Sequence, residues 1–221
     1  MKRFQVKTML LLLLASLGLM VGMAFAADQG ALTVAQVRDR WADINYQTPK
    51  PQREAAFQSL ADRAAQLRQA QPRDASVLVW EGIVLSSLAG EKGGLHALDL
   101  VKRARSDFEA ALKIDPRVLD GAAYTSLGAL YYQVPGWPLG FGDDDKAREL
   151  LEKGLEVDPD GIDANYFYAD FLREQKQWSQ SAAAFEQALA APARPGREVA
   201  DAGRRREAEA RLKEVRGHLA K

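Results

Sequence analysis

Chemistry needs nucleophiles, bases or metal ligands within reach of one another, and this chain of 221 residues has few of them. It has no cysteine and two histidines. Without cysteine there is no disulfide framework, no thiolate metal site and no thiol nucleophile. His96 lies in a glycine-flanked stretch and His218 near the end of the sequence. Neither has a spacing relation to the other or to a Ser–acid pair, and no His-x-x-x-His pattern occurs. Gly93-Gly94 and the Gly136–Gly140 segment lack the Lys-Ser/Thr and preceding strand of a phosphate-binding loop. Asp143-Asp144-Asp145 reads as a helix N-cap, with acids favoured at the positive helix end. A hard-cation site is the alternative, without the spaced ligands and glycine turn of an EF-hand. The residue types therefore predict no catalytic residue, no metal and no cofactor, and direct attention to binding.

Charge narrows the partner. Lys and Arg number 30 and Asp and Glu number 30, so no overall basic excess is available to neutralise phosphates, and no nucleic-acid partner is expected. The balance changes at the N-terminus. Lys2, Arg3 and Lys7 precede an apolar run from Met9 to Met23, followed by Ala24-Phe25-Ala26. This is the layout of a secretory signal peptide, with cleavage expected after Ala26. A single uncleaved membrane anchor is the alternative, near the lower length limit for a bilayer span. No Cys follows the run, so no lipid anchor is expected. Removing residues 1–26 takes three cations and no acid, which leaves 195 residues with a formal charge of −3. The expectation is a mildly acidic periplasmic protein held together by packing alone.

The elements that would position any site come from an internal repeat. Ala104–Pro116, Ala147–Pro159 and Ser181–Pro192 align. Each has a small residue, a large apolar one four later (Phe108, Leu151, Phe185), a small one three further on (Ala111, Gly154, Ala188), and a closing proline. Positions four and three apart share a helix face, and small residues there admit a neighbouring helix closely. Before each lies another helix: Ser76–Leu88, Ala122–Gln133 and Asp163–Glu174, with small residues at Gly82, Gly128 and Ala169. Paired helices of this kind resemble the tetratricopeptide repeat, a 34-residue helix-turn-helix unit. Ala147 and Ser181 are 34 residues apart, whereas Ala104 and Ala147 are 43 apart.

Upstream, Val34, Val37, Trp41 and Ile44 form one helical stripe, and Phe57, Leu60, Ala61, Ala64 and Leu67 another. The predicted fold is all-α: a tetratricopeptide-like helical-hairpin solenoid with three to four repeats and a C-terminal capping helix. Residues 27–72 form an N-terminal helix pair (a degenerate repeat or a cap), 73–193 the repeats, and 194–221 the cap. In the tail, Ala208, Leu212, Val215 and Leu219 share one face, as a solenoid cap requires. Arg204-Arg205-Arg206 would be part of the cap's polar face or would meet an anionic partner.

Two units exceed the standard repeat, at Ala89–Leu100 and at Val134–Asp145. Both fall between the helices of a pair and predict loops at one edge of the solenoid, where repeats commonly bind. In the second, prolines and glycines forbid helix, yet Trp137, Leu139 and Phe141 are apolar. They either tuck onto the helices or present a contact. A concave groove would be lined by Val79, Ile83 and Ser86, by Thr125, Ala129 and Tyr132, and by Tyr166, Asp170 and Arg173. That mixture suits a peptide or a partner helix. The expected function is a periplasmic protein–protein interaction adaptor that uses this groove and the Trp137 loop, without enzymatic activity.

The segment PGWPLGFGDDDKA followed by LEVDPDGIDANYFYADFL also resembles the T-component family associated with TRAP transporters, across about residues 76–192. The resemblance implies an accessory of a periplasmic solute-uptake system. Its partner would be a solute-binding protein, with a ligand-conducting pore in an oligomer.

Overall fold

The computed structural model describes residues 32–220 and is all-helical over them. The segment read as a signal peptide lies outside the described residues. Among those residues, no helix is long and apolar enough to cross a membrane. Four helical hairpins follow one another: α1 (Val34–Tyr46) with α2 (Lys50–Ala70), α3 (Ala75–Lys92) with α4 (Gly94–Ile114), α5 (Val118–Gln133) with α6 (Asp144–Val157), and α7 (Ile162–Glu174) with α8 (Trp178–Ala190). A long helix, α9 (Glu198–Leu219), ends the chain.

Local chemistry sets the boundaries. The Thr33 hydroxyl accepts from the Gln36 backbone N–H, and the Gln36 side chain answers to the Thr33 N–H, closing a capping box. Asp74 accepts from the Ser76 and Val77 amides at the start of α3. Asp143 caps α6, its carboxylate 2.9 Å from the Lys146 amide, with Asp144 and Asp145 in the first turn. The predicted N-cap is therefore present. Regular helix in α5 begins at Ala122, because Leu119, Asp120 and Gly121 form a left-handed turn before it. Gly121 has φ +76°, and a Cβ there would stand 2.9 Å from Val157 Cβ.

The small–large pattern builds the crossings. A Cβ on Gly82 would lie 2.6 Å from the Phe108 ring, and one on Gly128 2.7 Å from Leu151 Cγ. The Ser181 hydroxyl donates to the Ala169 carbonyl at 2.8 Å in full burial. Phe108, Leu151 and Phe185 are buried, as are the stripes of α1 and α2, except that Val34 is only partly so.

One expectation is corrected. Ala89–Leu100 forms no loop. Gly93 and Gly94, with φ +63° and +60°, make the turn, and both helices run on to meet it. The extra residues lengthen the α3–α4 hairpin. The second interruption is a true loop, Val134–Asp143.

Candidate functional site

Helices α1, α3, α5 and α7 adjoin in order and form the inner face of the stack. Helix α9 packs on α8 and α7 and reaches back to α1. Its apolar stripe, Ala208, Leu212 and Val215, joins Ile162, Tyr166, Ala169 and Phe185 in one core. Leu219, expected on that stripe, is exposed at the helix end. The opposite side of α9 is also engaged. Gly203 is pressed against the Tyr46 ring of α1, where any Cβ would clash. Just before α9, the guanidinium of its N-cap residue Arg197 lies 5.6 Å from the Trp80 ring centroid on α3.

Polar groups fasten this docking. Arg204 Nε donates to Asp163 at 2.9 Å and Nη1 to Glu207 at 2.7 Å. Arg194 bridges Asp163 and Asp201. Burial pushes the Asp163 carboxyl up, but the guanidiniums of Arg204, Arg194 and Arg197 outweigh it and hold the group at about 2. Arg205 donates to the carbonyls of Leu189, in the last turn of α8, and of Ala191, its C-cap. Two of the three consecutive arginines therefore have internal partners. His218 stacks on Trp178 at 4.2 Å, while His96 is exposed.

This placement changes the groove drawn from the sequence. Val79, Thr125 and Ala129 are buried and carry packing rather than a free surface: Thr125, for example, faces Gly154, where a Cβ would lie 2.6 Å from its hydroxyl oxygen. Tyr166 is buried beneath Arg204, and Asp170 is buried as well. These positions are not free because α9 covers α7 and the neighbouring hairpins cover α3 and α5. Ile83, Ser86, Tyr132 and Arg173 remain half-buried. Ser86 donates to the Gly82 carbonyl. The structure does bring three of the named residues together. The Tyr132 hydroxyl donates to Asp170 at 2.9 Å, and Arg173 Nε donates to the same carboxylate at 3.0 Å. Arg211 of α9 stands 3.9 Å from it and reaches Glu214, which Arg173 also approaches. Each of these charges has a counter-charge within the cluster.

The two most exposed large apolar side chains among the described residues lie on the loop between α5 and α6. Trp137 is 89% exposed and Leu139 66%. Phe141 divides from them: it tucks against Tyr131, centroids 5.4 Å apart, beneath the Arg105 guanidinium of α4. The backbone is tied down. The Gly142 N–H donates to the Pro135 carbonyl at 3.0 Å, the Asp143 N–H to Tyr131 at 2.9 Å and the Gly140 N–H to Gly136 at 3.1 Å. A Cβ on Gly140 or Gly142 would collide with the Pro135 or Val134 carbonyl. These glycines exist so that the two sides of the loop can touch, and the result is a fixed platform for two exposed apolar side chains.

One polar cluster escaped sequence reasoning. Glu81 and Asp107, from α3 and α4, are buried beside half-exposed Arg68 and Arg103. Arg68 Nε is 3.0 Å from Glu81 and 3.2 Å from Asp107, yet its N–H is aligned with neither. Burial, then the neighbouring Glu81 charge, raises the Asp107 carboxyl to about 7. Nothing in the repeat spacing signals such a pair. Glu81, interrupting the apolar run from Val77 to Val84, was the available hint; Asp107, in the charged stretch Arg103–Glu109, offered none.

No protein-family model and no curated protein sequence matches the chain. Among solved structures it is similar to the crystal structure of a thermophilic TPR protein in Thermus thermophilus. The TM-score is 0.55 at 15% identity, over 82% of this chain and 88% of that one. At that identity the likeness carries the fold alone: a tetratricopeptide-like stack of helical hairpins.

Proposed function

We propose that the protein is a protein–protein interaction adaptor of the periplasm, which holds another protein or peptide through the loop Val134–Asp143 and performs no chemistry itself. The observation that carries this reading is the exposure of Trp137 on a loop whose backbone is fixed by its own hydrogen bonds. An exposed indole and a neighbouring leucine are an aggregation liability unless a partner covers them. Trp is also the side chain that most often dominates binding energy at an interface. A platform rigid before binding loses little entropy on association. The half-buried inner-face groups Ile83, Ser86, Tyr132 and Arg173 offer a second, weaker contact. The periplasmic location rests on the Lys2–Ala26 layout.

A second reading uses the same loop. The Pro138-Leu139-Gly140 segment, with Leu139 exposed, carries the resemblance to the TRAP-transporter T-components, and the partner would then be a solute-binding protein. A photo-crosslinking residue at position 137, with a control at exposed Lys113, tests both in living cells. Protein adducts specific to position 137 are expected. Adducts to a solute-binding protein favour the second reading. Absence of any protein adduct at 137 overturns the adaptor.

A further inference from the structure

The chemistry of the loop's surroundings narrows the partner, on the premise that the adaptor reading holds. Beyond Leu139, after three intervening residues, the chain reaches Asp143, Asp144 and Asp145, all exposed at the start of α6. Asp143 accepts only a backbone N–H, from Lys146, and Asp144 only the Gln175 amide. Neither donor is a cation. Two neighbouring cations have other partners, Lys146 with Glu149 at 2.8 Å and Arg105 with Glu109 at 2.7 Å, and Lys176, next to Gln175, forms no ion pair with these acids. The positive end of the α6 dipole offsets only about half a unit charge. The surface is therefore an apolar tip beside acids that have no counter-charge among the described residues.

We infer that this surface docks a basic amphipathic segment of a partner protein. Apolar side chains of that segment would cover Trp137 and Leu139, and its Lys or Arg residues would lie opposite Asp144 and Asp145. The apolar contact supplies the affinity, and the charges supply selectivity and speed of encounter. The same acids oppose an anionic membrane surface, which attracts basic rather than acidic segments.

The test uses the full chain and three probes: a labelled Leu/Lys amphipathic peptide, its Leu/Glu counterpart, and vesicles containing anionic phospholipid. Trp41 and Trp80 are buried and Trp178 is stacked on His218, so a blue shift on binding reports Trp137. Anisotropy of the labelled peptide follows the variants. The Leu/Lys peptide is expected to bind, to weaken as salt rises, and to lose binding with W137A/L139A. It should weaken roughly fivefold with D144N/D145N. Equal binding of the Leu/Glu peptide, binding indifferent to W137A/L139A, or a shift seen with vesicles alone overturns the inference. Protein adducts at position 137 together with no Leu/Lys binding would overturn this inference and leave the adaptor standing. Absence of both would overturn both.

Discussion

The Arg204 guanidinium carbon sits 4.4 Å above the ring of Tyr166, with the Asp163 carboxylate in hydrogen-bond contact at its edge. One side chain of α9 thereby joins packing, charge and the inner face of α7. The last helix is held by specific partners on both of its sides.

The first prediction follows from that pairing. Arg204→Ala removes a buried cation and leaves Asp163 with one direct ion pair, to Arg194, and the longer-range field of Arg197, so it should lower unfolding stability by about 3 kcal/mol. Arg204→Met should recover part of the packing on Tyr166 and Phe167 but none of the charge. Urea denaturation of the two variants separates these contributions. Equal stability of Arg204→Ala and wild type would remove α9 docking from the account.

A second prediction concerns close helix approach. Gly128→Ala places a Cβ 2.7 Å from Leu151 Cγ and 3.2 Å from the Leu151 backbone nitrogen. A side chain can turn aside, but backbone cannot, so α5 and α6 must separate. The expected loss is about 1–3 kcal/mol despite the better helix propensity of alanine. A methyl added at Gly217 would meet nothing within 4 Å, so Gly217→Ala should instead gain roughly 0.5 kcal/mol. Thermal melts of the pair should shift in opposite directions.

The same glycines explain why so much of the fold was legible. A glycine in the middle of a helix is unfavourable by itself, so its recurrence at Gly82 and Gly128 at fixed spacing announces contact. Phe108 and Leu151, the large residues of the pattern, are the side chains found there. The course of α9 was not legible. Its apolar stripe was plain, but Arg204-Arg205-Arg206 looks like a solvated run. The partner Asp163 lies 41 residues away from Arg204, and Tyr46, which donates to Glu207, lies 161 away from that acid. Periodicity reports one face of one helix and is silent about which distant acid will neutralise a buried arginine. Gly203 beside Arg204 was the overlooked sign that a second face is crowded. The loop was legible as a loop, but the split between tucked Phe141 and free Trp137 depends on Tyr131 and Arg105, which no local pattern selects.

Acidity provides a third prediction. Burial and the Glu81 charge raise Asp107 to about 7, so the folded chain binds this proton more tightly than the unfolded one. Its contribution to stability is complete below the ordinary carboxyl range and is lost as pH rises through about 7. Asp163, held at about 2, acts the other way and matters only in strong acid. Between pH 5 and 8 the melting temperature should therefore decline by roughly 5 °C through Asp107. Asp107→Asn, which keeps the shape without the titration, should flatten that slope. Parallel slopes for variant and wild type would show that the buried pair does not titrate in this window.

The last prediction separates what the Trp137 loop presents from what holds it. Trp137 and Leu139 are exposed, so W137A/L139A removes almost no packing and should change stability by less than about 0.5 kcal/mol. Gly142→Ala is different in kind. Its methyl would collide with the Val134 carbonyl, at the point where the Gly142 N–H bonds to Pro135. The loop must open to admit it, which strips the hydrogen bonds at Gly142 and Asp143 and releases Phe141 from Tyr131. Hydrogen exchange at Gly140, Gly142 and Asp143 should accelerate in Gly142→Ala and stay unchanged in W137A/L139A. Partner binding should fall in both, by loss of the anchor in one and by loss of its rigidity in the other. If Gly142→Ala bound as tightly as wild type while its loop amides exchanged freely, the fixed backbone would have no part in recognition, and the exposed indole alone would have to account for it.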